Sequence, residues 1–125
     1  VPYTADGKTL LLDALRGGNP AANRGIATAS LHSGAPGDSG ANELSGGGYA
    51  RQAVTVSAAN AELAGSIDIT NQPTFSVGAG STVDFAGFWS GEGTPKFLAW
   101  FDVANEVFSG AGTYQLTDVD LNVNL

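Results

Sequence analysis

From Asp118 to Leu125 the chain alternates without a break: Val119, Leu121, Val123 and Leu125 stand between Asp118, Asp120, Asn122 and Asn124. Successive side chains leave a strand on opposite faces, so this order fits a strand with one dry face and one wet one, and no helix. Two further segments are constrained in the same way. Over residues 82–89, Val83, Phe85, Gly87 and Trp89 alternate with Asp84, Ala86 and Phe88; over 96–103, Phe97, Ala99, Phe101 and Val103 alternate with Lys96, Leu98, Trp100 and Asp102. Apolar residues on both faces of the second segment predict a central strand, or one face reserved for a partner. Shorter extended segments fit residues 26–32, 49–56, 66–69 and 74–77, each bounded by turn residues.

One segment breaks the pattern. Residues 6–16 read as a short helix, with Asp6 as an acceptor for a free amide at its start, Leu11 and Leu15 on one face, Arg16 at the negative end and Gly17 as the stop. So short a helix is marginal alone, and its leucines must dock on something larger. The sum is an all-β fold, an antiparallel β-sandwich of about seven strands with one short N-terminal α-helix, the closed barrel being the alternative. Neither a domain boundary nor a repeat is visible, so residues 1–125 read as a single domain. Residues 33–48, rich in Gly, Ser, Pro, Asp and Asn, form a loop of a length that is usually functional or disordered.

Composition narrows the function classes. Cysteine is absent, which removes disulfides and thiolate metal sites and leaves stability to packing. Twelve acidic residues against five basic ones give a net charge of −7, a sign that opposes phosphate backbones, so nucleic acid is not an expected partner. No apolar run approaches the ~18 residues that span a bilayer, and the start at Val1 has no basic stretch followed by an apolar one. The expectation is a soluble chain, made in a cytoplasm, with no membrane partner.

The motifs that suggest chemistry have simpler readings. Gly37-Asp38-Ser39-Gly40 resembles the nucleophile segment of trypsin-like proteases, but those need a His and an Asp brought to the Ser by a scaffold about twice this length. His32 is the sole histidine and cannot hold a metal by itself; Asp118 and Asp120, with Asp102 or Asp84, could form an oxygen cage for calcium, but alternation along a wet strand explains Asp118 and Asp120 equally well. Tyr3, Tyr49, Phe88, Trp89 and Trp100 could stack on sugars, yet they sit mostly among apolar neighbours, as packing residues do. No pair of carboxylates is singled out for glycoside hydrolysis. The expectation is a protein with no catalytic residues, no cofactor and no metal.

The informative stretch is residues 29–52, ASLHSGAPGDSGANELSGGGYARQ. It resembles a family of small proteins from tailed phages, especially those of actinobacteria, with the pattern SLHxxxPGxxGANExxGGxYARQ. The resemblance extends upstream to Asp6-Gly7-Lys8 and the Leu11–Leu15 segment, and downstream to residues 83–90. It implies a non-enzymatic virion structural protein, made in the host cytoplasm and placed on the outer surface of the particle. The main expectation is a capsid decoration protein; a minor tail or tail-fibre-associated protein is the alternative, and a carbohydrate-binding module for host attachment is the alternative of a different class. The partners expected are the major capsid protein or tail proteins of the same virion and further copies of the chain, a trimer being suited to pseudo-threefold positions on a shell. Candidate contact residues are Leu11, Leu15, His32, Asn42, Glu43, Tyr49, Arg51, Phe88, Trp89 and Trp100. Within the loop, Asn42 and Glu43 are expected to tie the chain to backbone amides, Gly46 to Gly48 to permit turns at positive φ, and Arg51 to pair with Glu43.

Overall fold

The computed structural model describes residues 3–15, 25–56, 66–117 and 119–122. The chain is an all-β, antiparallel sandwich with one helix, α1 (Ala5–Leu15), and eight strands among the described residues: β1 (Ile26–His32), β2 (Gln52–Ala53), β3 (Ser66–Asp68), β4 (Thr74–Val77), β5 (Thr82–Ser90), β6 (Phe97–Val107), β7 (Gly112–Gln115) and β8 (Asp120–Asn122). One layer is a four-stranded sheet in the order β2-β1-β5-β6; the other is made of two ribbons, β4-β7 and β3-β8.

The core lies between the layers, and strand register explains its composition. Ala29 faces Phe88, which faces Ala99; Leu31 faces Ala86, which faces Phe101. Each large side chain thus has small ones beside it, and the Phe88 and Phe101 rings stack at 5.6 Å. From the ribbons come Phe75, Val77 and Tyr114, joined by Ile69, Leu116 and Val119, all buried in the same cluster. A ledge from β7 steadies the far end of β6, where the Tyr114 hydroxyl donates to the Ala104 carbonyl at 2.9 Å.

The helix is fastened by Thr4 and not by Asp6. Thr4 is buried, its Oγ1 accepts from the Gly7 amide at 3.1 Å and donates to the Phe97 carbonyl, and its own amide donates to Leu98 at 2.9 Å. One residue therefore caps α1 and pins it to β6. Gly7 lets the helix come this close: a Cβ there would lie 2.1 Å from the Leu98 carbonyl oxygen. Asp6 occupies the first turn, where its charge complements the helix dipole. The expected stop at Arg16 and Gly17 lies outside the described residues.

Two strand expectations need correction. β6 is an edge strand of its sheet, whereas β5 is flanked on both sides. The start of β6 is covered on both faces from within the chain: Ala99 belongs to the core, Leu98 lies against α1, and Phe97 packs against Trp89 and His32. The strand also runs on to Val107, opposite Thr82, and carries a bulge on the way: a step of two residues on β5 (Val83 to Phe85) is matched by a step of four on β6 (Glu106 to Asp102). β7 was not anticipated at all. Of the expected 49–56 strand, Gln52–Ala53 joins β1, and Val56 bridges Ile69. The terminal alternation is paired as β8 with β3; Asp118 and residues 123–125 lie outside the described residues.

Candidate functional site

The motif region forms one connected structure on the outer face of the four-stranded sheet. β1 turns Ala29 and Leu31 into the core, so Ser30 and His32 face the opposite way, where β5 adds Trp89 and β6 adds Phe97. A sheet with an apolar outer face must be covered. The covering element is the 33–48 loop, which folds back instead of projecting. The Ser33 amide donates to Asn42, the Ala41 amide to Pro36, and the Leu44 amide to Leu31, all at 2.9 to 3.0 Å. Gly40 meets the Trp89 ring so closely that a Cβ would lie 2.6 Å from it, and its φ of 73° disfavours other residues as well. Gly47, at φ 63°, packs against Gly78, where a Cβ would come within 2.4 Å of the Cα.

Side chains then lock the loop down. Glu43 accepts from Arg51 through both carboxylate oxygens, Nε to Oε2 at 2.9 Å and Nη2 to Oε1 at 2.8 Å. Its Oε2 also accepts from the Tyr49 hydroxyl at 3.0 Å, and that hydroxyl accepts from the Leu31 amide at 2.9 Å. The Arg51 guanidinium lies over the Trp89 ring, 3.5 Å from its centroid. Trp89 Nε1 donates to Ser30 Oγ at 2.8 Å, Ser30 Oγ bonds His32 Nε2 at 2.7 Å, and His32 Nδ1 bonds the Ala41 carbonyl at 2.8 Å. No buried polar side-chain atom among the described residues is left without a partner.

Electrostatics follow from this packing. Burial pulls the Glu43 carboxyl upward, but the Arg51 and Tyr49 hydrogen bonds, with the nearby positive charge, together outweigh it and hold the group below its usual range. Burial lowers the His32 imidazole, against opposition from the Ala41 hydrogen bond and the Glu43 charge. The Tyr49 phenol is raised, mainly by burial. The Arg51 guanidinium is raised by its bond to Glu43.

The structure thus brings His32, Asn42, Glu43, Tyr49, Arg51 and Trp89 into one region, and the Glu43–Arg51 pair is present. Asn42, at φ 63°, donates its side-chain amide to the Ala35 carbonyl at 3.2 Å, and Glu43 bonds side chains; neither ties the loop to backbone amides. Three candidate contact residues are corrected. His32 and Phe88 have no exposed surface, Phe88 lying in the core and His32 beneath the loop, and Trp89 is 9% exposed under Arg51 and Gly40. Trp100 is half-buried, edge-on to Phe85 at 5.5 Å. Leu11 and Leu15 fall within α1, and their side chains lie outside the described residues. Ser30, Phe97 and Thr4 are not among the candidate residues the sequence offers, although Ser30 stands two residues before His32 and so on the same face of a strand.

This geometry also bears on the rival chemistries. Both His32 nitrogens are committed, while Asp38 and Ser39 are exposed turn residues. Trp89 has a guanidinium on its face and Tyr49 spends its hydroxyl on Glu43, which removes two of the aromatics that could stack on a sugar. Beside the network lies an open groove of about 500 Å³ lined by Ser33, Glu43, Ser45, Ser81, Thr82 and Asp84. Among the described residues no three His, Asp or Glu side chains group to hold a metal, and no helix is long and apolar enough to cross a membrane.

Fold and network together define a small β-sandwich module whose longest loop is bonded onto its own sheet. The chain belongs to the Gp80 family, described as podophage GP4 fiber I protein gp80, whose family model matches residues 3–117. It is thus a phage virion structural protein by family. No curated protein and no solved structure matches the chain.

Proposed function

We propose that this chain is a non-enzymatic component of a phage tail fibre, exposed on the virion and assembled with other virion proteins and with copies of itself. The observation that carries this reading is the family match over residues 3–117, whose description names a fibre protein and so favours the fibre over the capsid shell. The loop network supports it. A motif rich in polar residues spends them on internal bonds, as a scaffold does, and presents no converging nucleophile, base and acid. We assign the contacts with neighbours to the half-buried Trp100–Phe85 pair and the exposed loop around Asn42. Separating sheared fibres from full heads and quantifying the chain in each fraction by mass spectrometry tests this. Enrichment with the fibres is expected; enrichment with the heads, at hundreds of copies per particle, would restore the decoration reading.

A further inference from the structure

We infer that the 33–48 loop is an acid-released latch, and that His32 is its proton-sensitive pin. The inference rests on the loop's geometry and not on the fibre reading. His32 has no exposed surface, and neither has Ser30 beside it. In one proton arrangement every partner in the chain is used. The Ala41 carbonyl can only accept, so Nδ1 carries a hydrogen; the Trp89 indole can only donate, so Ser30 Oγ accepts from it and gives its own proton to Nε2. That chain requires a neutral imidazole. A second proton on Nε2 would point at a hydroxyl already receiving the indole hydrogen, and would turn the Ser30 proton away from the acceptor it has in the closed site.

The groups that face His32 set the balance. From the loop, the Glu43 carboxylate attracts a charge there; from the segment before β2, the Arg51 guanidinium repels it. β5 and β6 contribute Trp89, Gly87 and Phe97, none of them ionisable, with Phe97 tilted against the imidazole at 5.5 Å. Burial outweighs the carboxylate, so the folded imidazole titrates below its ordinary value of 6.5. The unfolded or opened chain therefore binds the proton first: closure is fully favoured above about pH 6.5 and is lost as pH falls through the lower, folded value. The cheapest way for the imidazolium to reach water is to lift Ala41. Glu43 leaves with the loop, Arg51 loses its partner, and Trp89 loses its cover, while the core on the other face of the sheet is untouched.

Amide hydrogen exchange on the full chain, corrected for intrinsic rates and read alongside the NMR titration of the His32 ring, tests this. The reporters are the Ser33 and Leu44 amides, which donate to Asn42 and Leu31, with the Phe88 amide as the core control. Protection at Ser33 and Leu44 should fall at least tenfold through the His32 midpoint, with Phe88 unchanged. His32→Asn offers an amide donor towards Ala41 without a titrating ring, and its loop protection should not change with pH over that range. The inference is overturned if His32 titrates at or above 6.5 in the wild type, if loop and core lose protection together, or if His32→Asn shows the same acid response. Should the variant not fold, the first two outcomes decide alone.

Discussion

Removing Glu43 and Arg51 singly and together measures how firmly the loop is held. The pair makes two hydrogen bonds of 2.8 and 2.9 Å with side chains 21% and 32% exposed. Fully exposed pairs contribute about 0.2–1 kcal/mol, and hydrogen bonds to charged groups in dry sites about 1.5–3 kcal/mol. A bidentate pair this well covered falls between, at a coupling energy of about 1–2 kcal/mol. The single variants should cost more than the coupling, about 2–3 kcal/mol each, because each strands a second group. Glu43→Ala leaves the Tyr49 hydroxyl without its acceptor, and Arg51→Ala uncovers Trp89. Urea unfolding followed by tryptophan fluorescence on the wild type, both singles and the double completes the cycle, with equal m-values required for comparison. A coupling below about 0.3 kcal/mol would refute the claim that this pair closes the loop.

The core and the helix cap offer independent checks. Phe88→Ala should destabilise by about 3–5 kcal/mol in urea, since it empties a fully buried site between Ala29, Ala99 and Phe101. Thr4→Ala should cost about 1–2 kcal/mol by thermal unfolding, while Thr4→Ser, which keeps the hydroxyl, recovers most of it. The Glu43 carboxyl sits below its ordinary 4.5, so its contribution is present above that pH and is lost as pH falls through the lower folded value. Stability of Glu43→Gln should accordingly be lower at pH 7 and flatter than the wild type's below pH 4.5.

What could be read from residues alone follows the physics of each element. β1 and β4 begin and end where their alternation does, because turn residues flank them and nothing competes. β7 escaped because Gly112-Thr113-Tyr114-Gln115 buries only Tyr114, leaving no alternation to read. β6 looked central because its outer face is apolar, and alternation cannot tell a neighbouring strand from a folded-back loop. The same ambiguity misplaced Trp89 and His32 among surface residues: each lies on the outer face, but the loop covers that face. Glu43 and Arg51 were legible as a pair because the motif sets opposite charges eight residues apart around a glycine turn. The cap at Thr4 was obscured by Asp6, which has the right chemistry two residues too late.

A reconstruction of the intact virion tests the central claim most directly. The account predicts sandwich density of this fold in the tail fibres, with the Glu43–Arg51 loop lying flat on its own sheet. Density of this fold on the capsid shell, with the fibres built from other chains, would contradict it.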